Sequence, residues 1–475
     1  MTLSSSLSKT FGLGLLTRRE RSGAPKDTAS VIQTLHAALP SGGLITDPTA
    51  CAAFSAGPGL QRAAPPFAVV LPETTEHVAR IAAVSRAAGL SLVIRGGGSS
   101  FQERREAQRQ RLLVSMAKMR KAYGVNKADR CVRVQVGISL ADLDRQAADA
   151  GLVLPIALVS NDIATVGGTL VSDANAPSRL MFGRLGDHVS ALTAVLPDGS
   201  IVRIGDQGIE PGPAGLARAI ASLAGRGCIL TELTIQLRAR PKVVREVIAG
   251  WPSWSKAISA LQAAGTQRCG WLSAIVADGA LSRPGAFDLA KDAPKPSVLS
   301  VIAVAGVAED VNTLSDALTE QLRLRGPSVL EQRTRDDTAA LGGQTAALSR
   351  ALYLDIRPSP HRVLVEISVL PPQLDAGLKA VMELVAKRGA RCRILVRPVE
   401  GLILAAMDCD TVEASHVDVT AFLSDLDEAA DAFGGRVVRL DGSMRARGEE
   451  PAGREKGGIS AVEREFVRAV LAPKS

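Results

Sequence analysis

A strand–helix–strand unit that ends in three consecutive glycines is the feature that most constrains the fold of this chain. Residues 67–72 predict a strand, Thr74 can cap the helix that follows, and residues 92–94 predict a second apolar strand. The chain turns immediately afterwards, at Arg-Gly-Gly-Gly-Ser-Ser in positions 95–100. Glycines lack Cβ atoms, so their N–H groups can surround an anion such as a pyrophosphate. Taken alone, the loop is equally typical of a flexible turn.

A second α/β piece follows and contains another pair of glycines. Residues 131–136 alternate as a strand does, and Ser139 can cap the next helix. Gly167 and Gly168 come later, and their alternative interpretation is a bulge or a close strand crossing. Two glycine-rich bends suit a long, extended ligand that carries two phosphates.

Composition excludes several classes of protein. The 475 residues carry a net charge of +8, which favours acidic ligands, but only 3% are aromatic, which argues against stacking platforms for nucleic acid. The basic loop at 104–111 is interpreted as a solvated surface. Six dispersed cysteines and five isolated histidines indicate reduced thiols and no metal site. The apolar runs have the length of strands, so we expect no membrane span.

Familiar nucleotide and hydrolase motifs are missing. Gly12-Leu13-Gly14 precedes any strand and lacks the third glycine of a nicotinamide-binding Rossmann domain. No P-loop, His-Glu-x-x-His or Gly-x-Ser-x-Gly sequence is present.

The pattern changes after Arg240-Pro241, where strands begin to alternate with helices in what we interpret as a mixed sheet covered on one side. We detect no internal repeat. The predicted domains are a disordered leader at 1–30, a cofactor domain at 31–240 with lobes at about 31–120 and 121–240, a substrate or cap domain at 241–440, and a mobile segment with a C-terminal helix at 441–475.

The order of motifs across residues 40–240 resembles the PCMH-type FAD-linked oxidases and dehydrogenases of the vanillyl-alcohol oxidase superfamily. The resemblance is carried by residues 68–78, 95–100, 134–137 and 165–169, then by Gly183 with Asp187, and by residues 195–199 and 229–232. It implies an α+β fold, with a two-lobed PCMH-type FAD-binding domain followed by a mixed-sheet substrate domain. Within the superfamily, the chain looks most similar to the glycolate oxidase and D-2-hydroxyacid dehydrogenase group.

The resemblance also implies a set of residues that bind FAD. The loop at 95–100 would wrap the pyrophosphate, Pro155 would lie near the flavin ring, and the backbone around Ile229 would meet the adenine end. The complete candidate set is Arg95, Gly96, Gly97, Gly98, Ser99, Ser100, Pro155, Thr165, Gly167, Gly168, Thr169, Gly183, Asp187 and Ile229.

Three departures from the family pattern affect this expectation. Ser99 stands where covalent members carry the flavin-linked histidine, which implies noncovalent FAD. Asn175-Ala176-Pro177 replaces a usual glycine and should stiffen the approach to the flavin. Cys228 should lie close to the cofactor, either as a buried inert thiol or as a redox group.

Two functions remain open from the sequence. The first is an FAD-dependent enzyme that takes hydride from a CH–OH carbon of a small hydroxy acid or sugar-like alcohol. The second is a non-catalytic FAD-binding subunit of a hetero-oligomeric, glycolate oxidase-like dehydrogenase. A protein that keeps the fold without flavin is a third alternative.

The catalytic residues cannot be assigned from the sequence. Arg357 could grip a carboxylate, and His361 or His416 could act as the base, but each also fits an ordinary surface or core residue. The partners expected for these functions are a small-molecule substrate and either an electron acceptor or a partner dehydrogenase subunit. We expect a cytoplasmic protein, unless the acid-free stretch 1–19 is an organelle-targeting segment.

Overall fold

The computed structural model describes residues 28–54, 65–99, 111–158, 160–205, 224, 227–267, 270–281, 296–335, 343–354, 362–408 and 419–439. Its strands, numbered in chain order, are β1 Leu44–Ile45, β2 Ala68–Val70, β3 Ser91–Arg95, β4 Arg111–Ser115, β5 Ala122–Asn126, β6 Cys131–Gln135, β7 Leu152–Val153, β8 Val189–Val195, β9 Ile201–Ile204, β10 Ile229–Gln236, β11 Arg238–Ala239, β12 Val243–Trp251, β13 Trp271–Asp278, β14 Val298–Gly306, β15 Val329–Arg335, β16 Arg362–Ser368, β17 Arg391–Arg397, β18 Leu402–Asp408 and β19 Arg436–Arg439. The α-helices are Thr28–Ala38, Pro48–Ala53, Thr75–Ala87, Leu140–Ala148, Val166–Ser172, Arg179–Phe182, Trp254–Ala264, Ala308–Arg323, Gly343–Leu354, Leu374–Lys387 and Val419–Asp431.

The strand–helix–strand unit forms the first lobe. Strands β2 and β3 both pair in parallel with β4, while β1 adds an antiparallel edge, which gives the order β1-β2-β4-β3. Thr74 caps the helix Thr75–Ala87 because its Oγ1 accepts a hydrogen bond from the His77 amide at 3.2 Å. Gly89 follows the helix with φ +67°. The glycine loop therefore begins where β3 ends.

The second lobe is an antiparallel sheet in the order β5-β6-β10-β8-β9. Ser139 caps the helix Leu140–Ala148, whose inner face of Leu140, Leu143 and Ala147 is fully buried, as the sequence predicts. One continuous hydrophobic core joins the two lobes.

The C-terminal sheet has eight strands in the order β15-β12-β14-β13-β17-β18-β16-β19. Residues 243–335 form a split β-α-β pattern. A helix connects β12 to β13, and β14 lies between these two strands. A second helix connects β14 to β15, and β12 lies between them. Residues 362–439 repeat this arrangement, with β18 between β16 and β17 and β16 between β18 and β19. The two units meet edge to edge where β13 pairs with β17. This half of the chain is a structural duplication that the sequence does not reveal.

The fold class is confirmed, with one correction. The sequence suggests a mixed C-terminal sheet, but its described neighbouring strands all pair antiparallel. Strands linked by a helix are parallel to each other, as a β-α-β pattern indicates, and an antiparallel strand is inserted between them.

The two faces of this sheet have different partners. Side chains such as Val247, Ile302 and Ile403 pack in one core with four of the helices. The opposite face packs in part against the first half of the chain, where Val153, Ala157, Met181 and Phe182 join a cluster built on β12, β13 and β14. We call this side of the sheet, which includes Ile248 and Val301, the open face, because one helix, Gly343–Leu354, packs on it. The second lobe contacts the eight-stranded sheet on this face.

Several predicted segments lie outside the described residues. They include the leader up to residue 27, Ser100 and most of the basic loop, the three catalytic candidates Arg357, His361 and His416, and everything after 439. Within the described ranges, no helix has the length and hydropathy needed to cross a bilayer. Those same ranges bring together no group of three or more residues able to hold a metal ion.

Candidate functional site

The two glycine bends lie against each other. A Cβ at Gly97 would overlap the carbonyl oxygen of Ile163, and one at Gly96 would overlap the hydroxyl of Thr165. Gly98 adopts φ +69°, in the left-handed region that favours glycine. Only residues without side chains allow this approach.

The Arg95 side chain packs against the glycine loop that follows it. A Cβ at Gly98 would collide with its guanidinium, and its Nη1 donates to the carbonyl of Phe54. The structure shows that Arg95, which we expected to contact the cofactor, ties the loop to the first lobe.

The second bend opens the helix Val166–Ser172. Thr165 caps it, because its Oγ1 accepts a hydrogen bond from the Gly168 amide at 3.3 Å. Gly167 packs against Val136 so closely that a Cβ would lie 2.6 Å from the valine Cβ. The first amides of this helix already have partners: those of Val166 and Gly167 donate to main-chain carbonyls, and that of Gly168 donates to the Thr165 hydroxyl. What this bend offers a ligand is therefore close approach to the backbone.

A buried hydroxyl at this helix supports the fit to FAD. Thr169 is 4% exposed, and its Oγ1 has no hydrogen-bond partner within the described part of the chain. Burying a hydroxyl without a partner costs about 1–3 kcal/mol. A polar ligand at the glycine bends would supply the partner, so the residues present fit the cofactor implied by the sequence.

Three other candidate residues lie in a turn and at the start of a strand. Gly183 ends the helix Arg179–Phe182 with φ +79°, and Asp187 accepts a hydrogen bond from the Arg184 amide at 2.9 Å. These two residues form a turn next to the FAD candidates, and no phosphate contact is evident from their geometry. Ile229 begins β10 and is buried beside Cys228.

Cys228 behaves as a buried thiol. It is 4% exposed, and burial raises its pKa to about 12. Thiolate formation near neutral pH is therefore strongly disfavoured, which supports the inert alternative of the sequence analysis.

A polar cluster lies where the open face meets the second lobe. Arg397, at the end of β17, is 2% exposed. Its Nη1 donates to Asn175 Oδ1 at 2.9 Å and to the Ala176 carbonyl at 3.0 Å, and its Nη2 donates to the Asn175 carbonyl at 2.8 Å. The segment that departs from the family's glycine pattern is thus held by the other half of the chain.

Two carboxyl groups face the same arginine. Glu366 Oε1 lies 3.4 Å from Asn175 Nδ2, and Glu400 Oε1 lies 4.0 Å from Arg397 Nη1. Burial raises the pKa of both carboxyl groups, and the positive charges of Arg397 and Arg179 oppose this rise. The net shift is upward because burial outweighs the two arginines.

The polar cluster adjoins the position expected for the flavin ring. Pro155 is buried two residues before Ala157, whose amide donates to Ser178 Oγ at 3.0 Å. Ser178 lies between Arg179 and the segment at 175–177, which Arg397 clamps. Residues at 155–157, the segment at 175–178 and the open face therefore form one interface.

The sequence analysis missed Arg179, Glu366, Arg397 and Glu400. Arg397 carried a readable signal, since it stands between an apolar strand and Pro398, as Arg357 stands before Pro358. The acidic residues carried none, because a single glutamate in a strand is equally typical of a solvent-facing position.

Comparison with known proteins agrees with this geometry. A family model described as an FAD binding domain matches residues 66–205. This range contains both glycine bends, the helix Val166–Ser172 and the clamped segment.

Curated relatives match part of the chain. A D-lactate dehydrogenase of Anaerostipes hadrus is 32% identical over 139 residues, which is 29% of this chain and 29% of the relative. A D-2-hydroxyglutarate dehydrogenase of Escherichia coli is 33% identical over 141 residues, which is 29% of this chain and 14% of the relative. Each match spans less than a third of the relative's length.

The solved structure of p-cresol methylhydroxylase has the same fold over both halves. It aligns with a TM-score of 0.67 and 14% identity, covering 87% of this chain and 89% of its own. The chain therefore carries an FAD binding domain at residues 66–205 and shares the fold of this solved structure over both halves.

Proposed function

We propose that this chain is an FAD-dependent oxidoreductase that takes hydride from the CH–OH carbon of a small hydroxy acid onto noncovalent FAD. Support for the reaction comes from the FAD binding domain and from relatives named D-lactate and D-2-hydroxyglutarate dehydrogenases. Support for an acidic substrate comes from the polar cluster on the open face.

Arg179 is the observation that carries the substrate class. It is half-buried in the interface, and its Nη1 donates a long hydrogen bond of 3.5 Å to Asn175 Oδ1. No carboxylate of the described residues forms an ion pair with it within 4.0 Å. A guanidinium held in this way can bind a substrate carboxylate with two parallel hydrogen bonds.

The protein must also remove the hydroxyl proton. Bound FAD supplies the oxidant, which accepts two electrons and one hydrogen from the carbon, and the remaining proton needs an acceptor. Glu366 lies in the same cluster as Arg179, and its raised pKa makes it a stronger base than an ordinary carboxylate. We propose Glu366 as that acceptor in place of a histidine.

Anaerobic reduction of the flavin tests the proposal. The purified chain should be yellow, and glycolate, D-lactate or D-2-hydroxyglutarate should bleach it. The matching amides, which lack the carboxylate, should bleach it far more slowly. A yellow protein that no hydroxy acid reduces would contradict the proposal.

Two variants separate the proposed roles. Arg179→Gln should raise the hydroxy-acid concentration needed for half-maximal bleaching by about tenfold or more, which corresponds to about 1.4 kcal/mol. Glu366→Gln should instead lower the rate of bleaching at saturation. Arg393→Gln is the matched control, since Arg393 lies on the same strand as Arg397 and pairs with Asp278 at 3.5 Å.

The accessory-subunit alternative gains no support from the relatives reported above. It predicts a yellow protein that stays inert alone and becomes reducible only with a partner chain. The bleaching experiment therefore distinguishes the two candidates.

A further inference from the structure

A buried arginine joins the two halves of the chain by main-chain contacts. Three hydrogen bonds from the Arg397 guanidinium reach Asn175 and Ala176, more than 220 residues earlier in the sequence. In two of the three, the acceptor is a main-chain carbonyl oxygen. These two bonds therefore fix the path of the backbone at 175–176 whatever side chains it carries. Among described residues, Arg397 Nε has no hydrogen-bond partner.

The clamped segment, residues 175–176, follows closely after the helix Val166–Ser172, which begins at the second glycine bend. That helix ends at Ser172, and Asp173 follows in the left-handed conformation with φ +46°. This conformation is uncommon for a residue with a side chain, although aspartate adopts it more readily than most residues. The Ala174 amide also bonds back to the Thr169 carbonyl at 3.2 Å. A shift at Asn175 would therefore be transmitted to Thr169, an FAD candidate.

We propose that Arg397 is a positioning residue for FAD: by clamping Asn175 and Ala176, it fixes the segment behind the FAD-binding helix, so that cofactor affinity depends on the docked substrate domain. The family pattern has a glycine near this position, whereas this chain uses a stiffer segment held from outside. Coupling of this kind is reciprocal, so bound FAD must equally favour the docked arrangement.

The acceptors on Asn175 and Ala176 explain how a buried guanidinium is tolerated. Two main-chain carbonyls and one side-chain amide oxygen accept hydrogen bonds from three of its five N–H donors, and the carboxyl groups of Glu366 and Glu400 lie close by. A buried charge with these partners is costly to replace singly, and its geometry is strongly specified.

Titration of FAD into the apoprotein tests the proposal. Arg397→Gln should raise the dissociation constant for FAD at least tenfold, and Arg397→Lys should raise it less because the positive charge remains. Arg393→Gln should stay within twofold of the unchanged chain. Circular dichroism and the melting temperature of each apoprotein establish that the variants are folded.

A folded Arg397→Gln protein that binds FAD with unchanged affinity would overturn the proposal. If this variant does not fold, hydrogen exchange on the full-length unchanged chain and on Arg397→Lys provides the second measurement. FAD should slow amide exchange in β17 and β18 of the unchanged chain, and the protection should shrink in Arg397→Lys. Equal protection in both proteins would also refute the coupling.

This inference rests on FAD as the cofactor and not on the substrate proposed above. Its readouts are FAD affinity and amide exchange, neither of which needs turnover. A chain that binds FAD through the clamp but oxidises no hydroxy acid would refute the proposed function and leave this inference standing.

Discussion

At the scale of single residues, Gly97 provides the sharpest test of the cofactor site. Gly97→Ala should weaken FAD binding by tenfold or more, because the new methyl group would occupy the space of the Ile163 carbonyl and push the two bends apart. FAD titration with protein fluorescence gives the affinity. Gly306→Ala is the control, since its nearest neighbour would lie 3.5 Å from the added Cβ. Unchanged affinity in Gly97→Ala would argue against convergence of the bends on FAD.

Cys228 should resist alkylation in the folded protein. With a pKa of about 12, its thiolate fraction at pH 8 is about a thousandfold smaller than that of a thiol with an ordinary pKa near 9. Iodoacetamide labelling followed by mass spectrometry should leave Cys228 unmodified in buffer and modified in urea. Rapid labelling of the native protein would favour the redox alternative.

Glu366 should make the fold less stable as pH rises. Its folded-state pKa lies above the unfolded value, so the stabilising effect of the bound proton is complete below the unfolded pKa and is lost as pH rises through the folded pKa. Glu366→Gln removes this dependence. The variant should therefore melt higher than the unchanged chain at pH 8, with the difference shrinking toward pH 4.

Exposed Glu383 supplies the matched comparison for this pH series. Glu383→Gln should follow the unchanged chain across the whole range. If Glu366→Gln is the less stable protein at pH 8, the attraction to Arg397 outweighs burial and the sign given above is wrong.

At the scale of elements, the cap of the helix Val166–Ser172 can be tested separately. Thr165→Val keeps the shape of the side chain but removes the acceptor for the Gly168 amide, and the lost cap should cost about 1 kcal/mol of unfolding free energy. Thr165→Ser keeps the hydroxyl and should cost less. Urea denaturation measures both changes. Equal stability of the valine and serine variants would show that the cap is unimportant.

Elements with strong local signals were predicted well. Thr74 and Ser139 cap the helices that the sequence suggests, and Leu233, Ile235 and Leu237 are buried in alternation. Each of these features depends on neighbours close in sequence, so the amino-acid pattern carries it.

Elements with weak local signals were missed. β15 is an edge strand with charged residues at alternate positions, and β18 is apolar up to its last residue, Asp408, and shows no alternation. The pairing partners of both strands lie far away in sequence. Their existence is decided by the sheet and not by the segment.

At the scale of the whole molecule, FAD should stabilise both halves together. Free FAD at a hundred times its dissociation constant should add about 2.7 kcal/mol to the free energy of unfolding. Because the clamp and the apolar cluster join the halves, calorimetry should show one transition that moves as a unit. Two transitions, of which FAD moves only one, would show that the halves unfold independently.

The duplicated sheet shows why sequence reasoning stopped where it did. Both units have the same strand order around their helices, yet we detect no repeat in the sequence. A sheet requires only burial and alternation at each position, and many sequences meet these requirements. Repetition of structure therefore need not leave a repeat in the residues.

The sequence by itself determined the FAD binding domain, the order of its glycine bends and most of its helices, because these depend on backbone freedom and local periodicity. Only the tertiary structure decided which charged groups share the interface with Asn175. Arg397 and Glu366 reach that interface from strands far along the chain, and their burial follows from how the two halves pack.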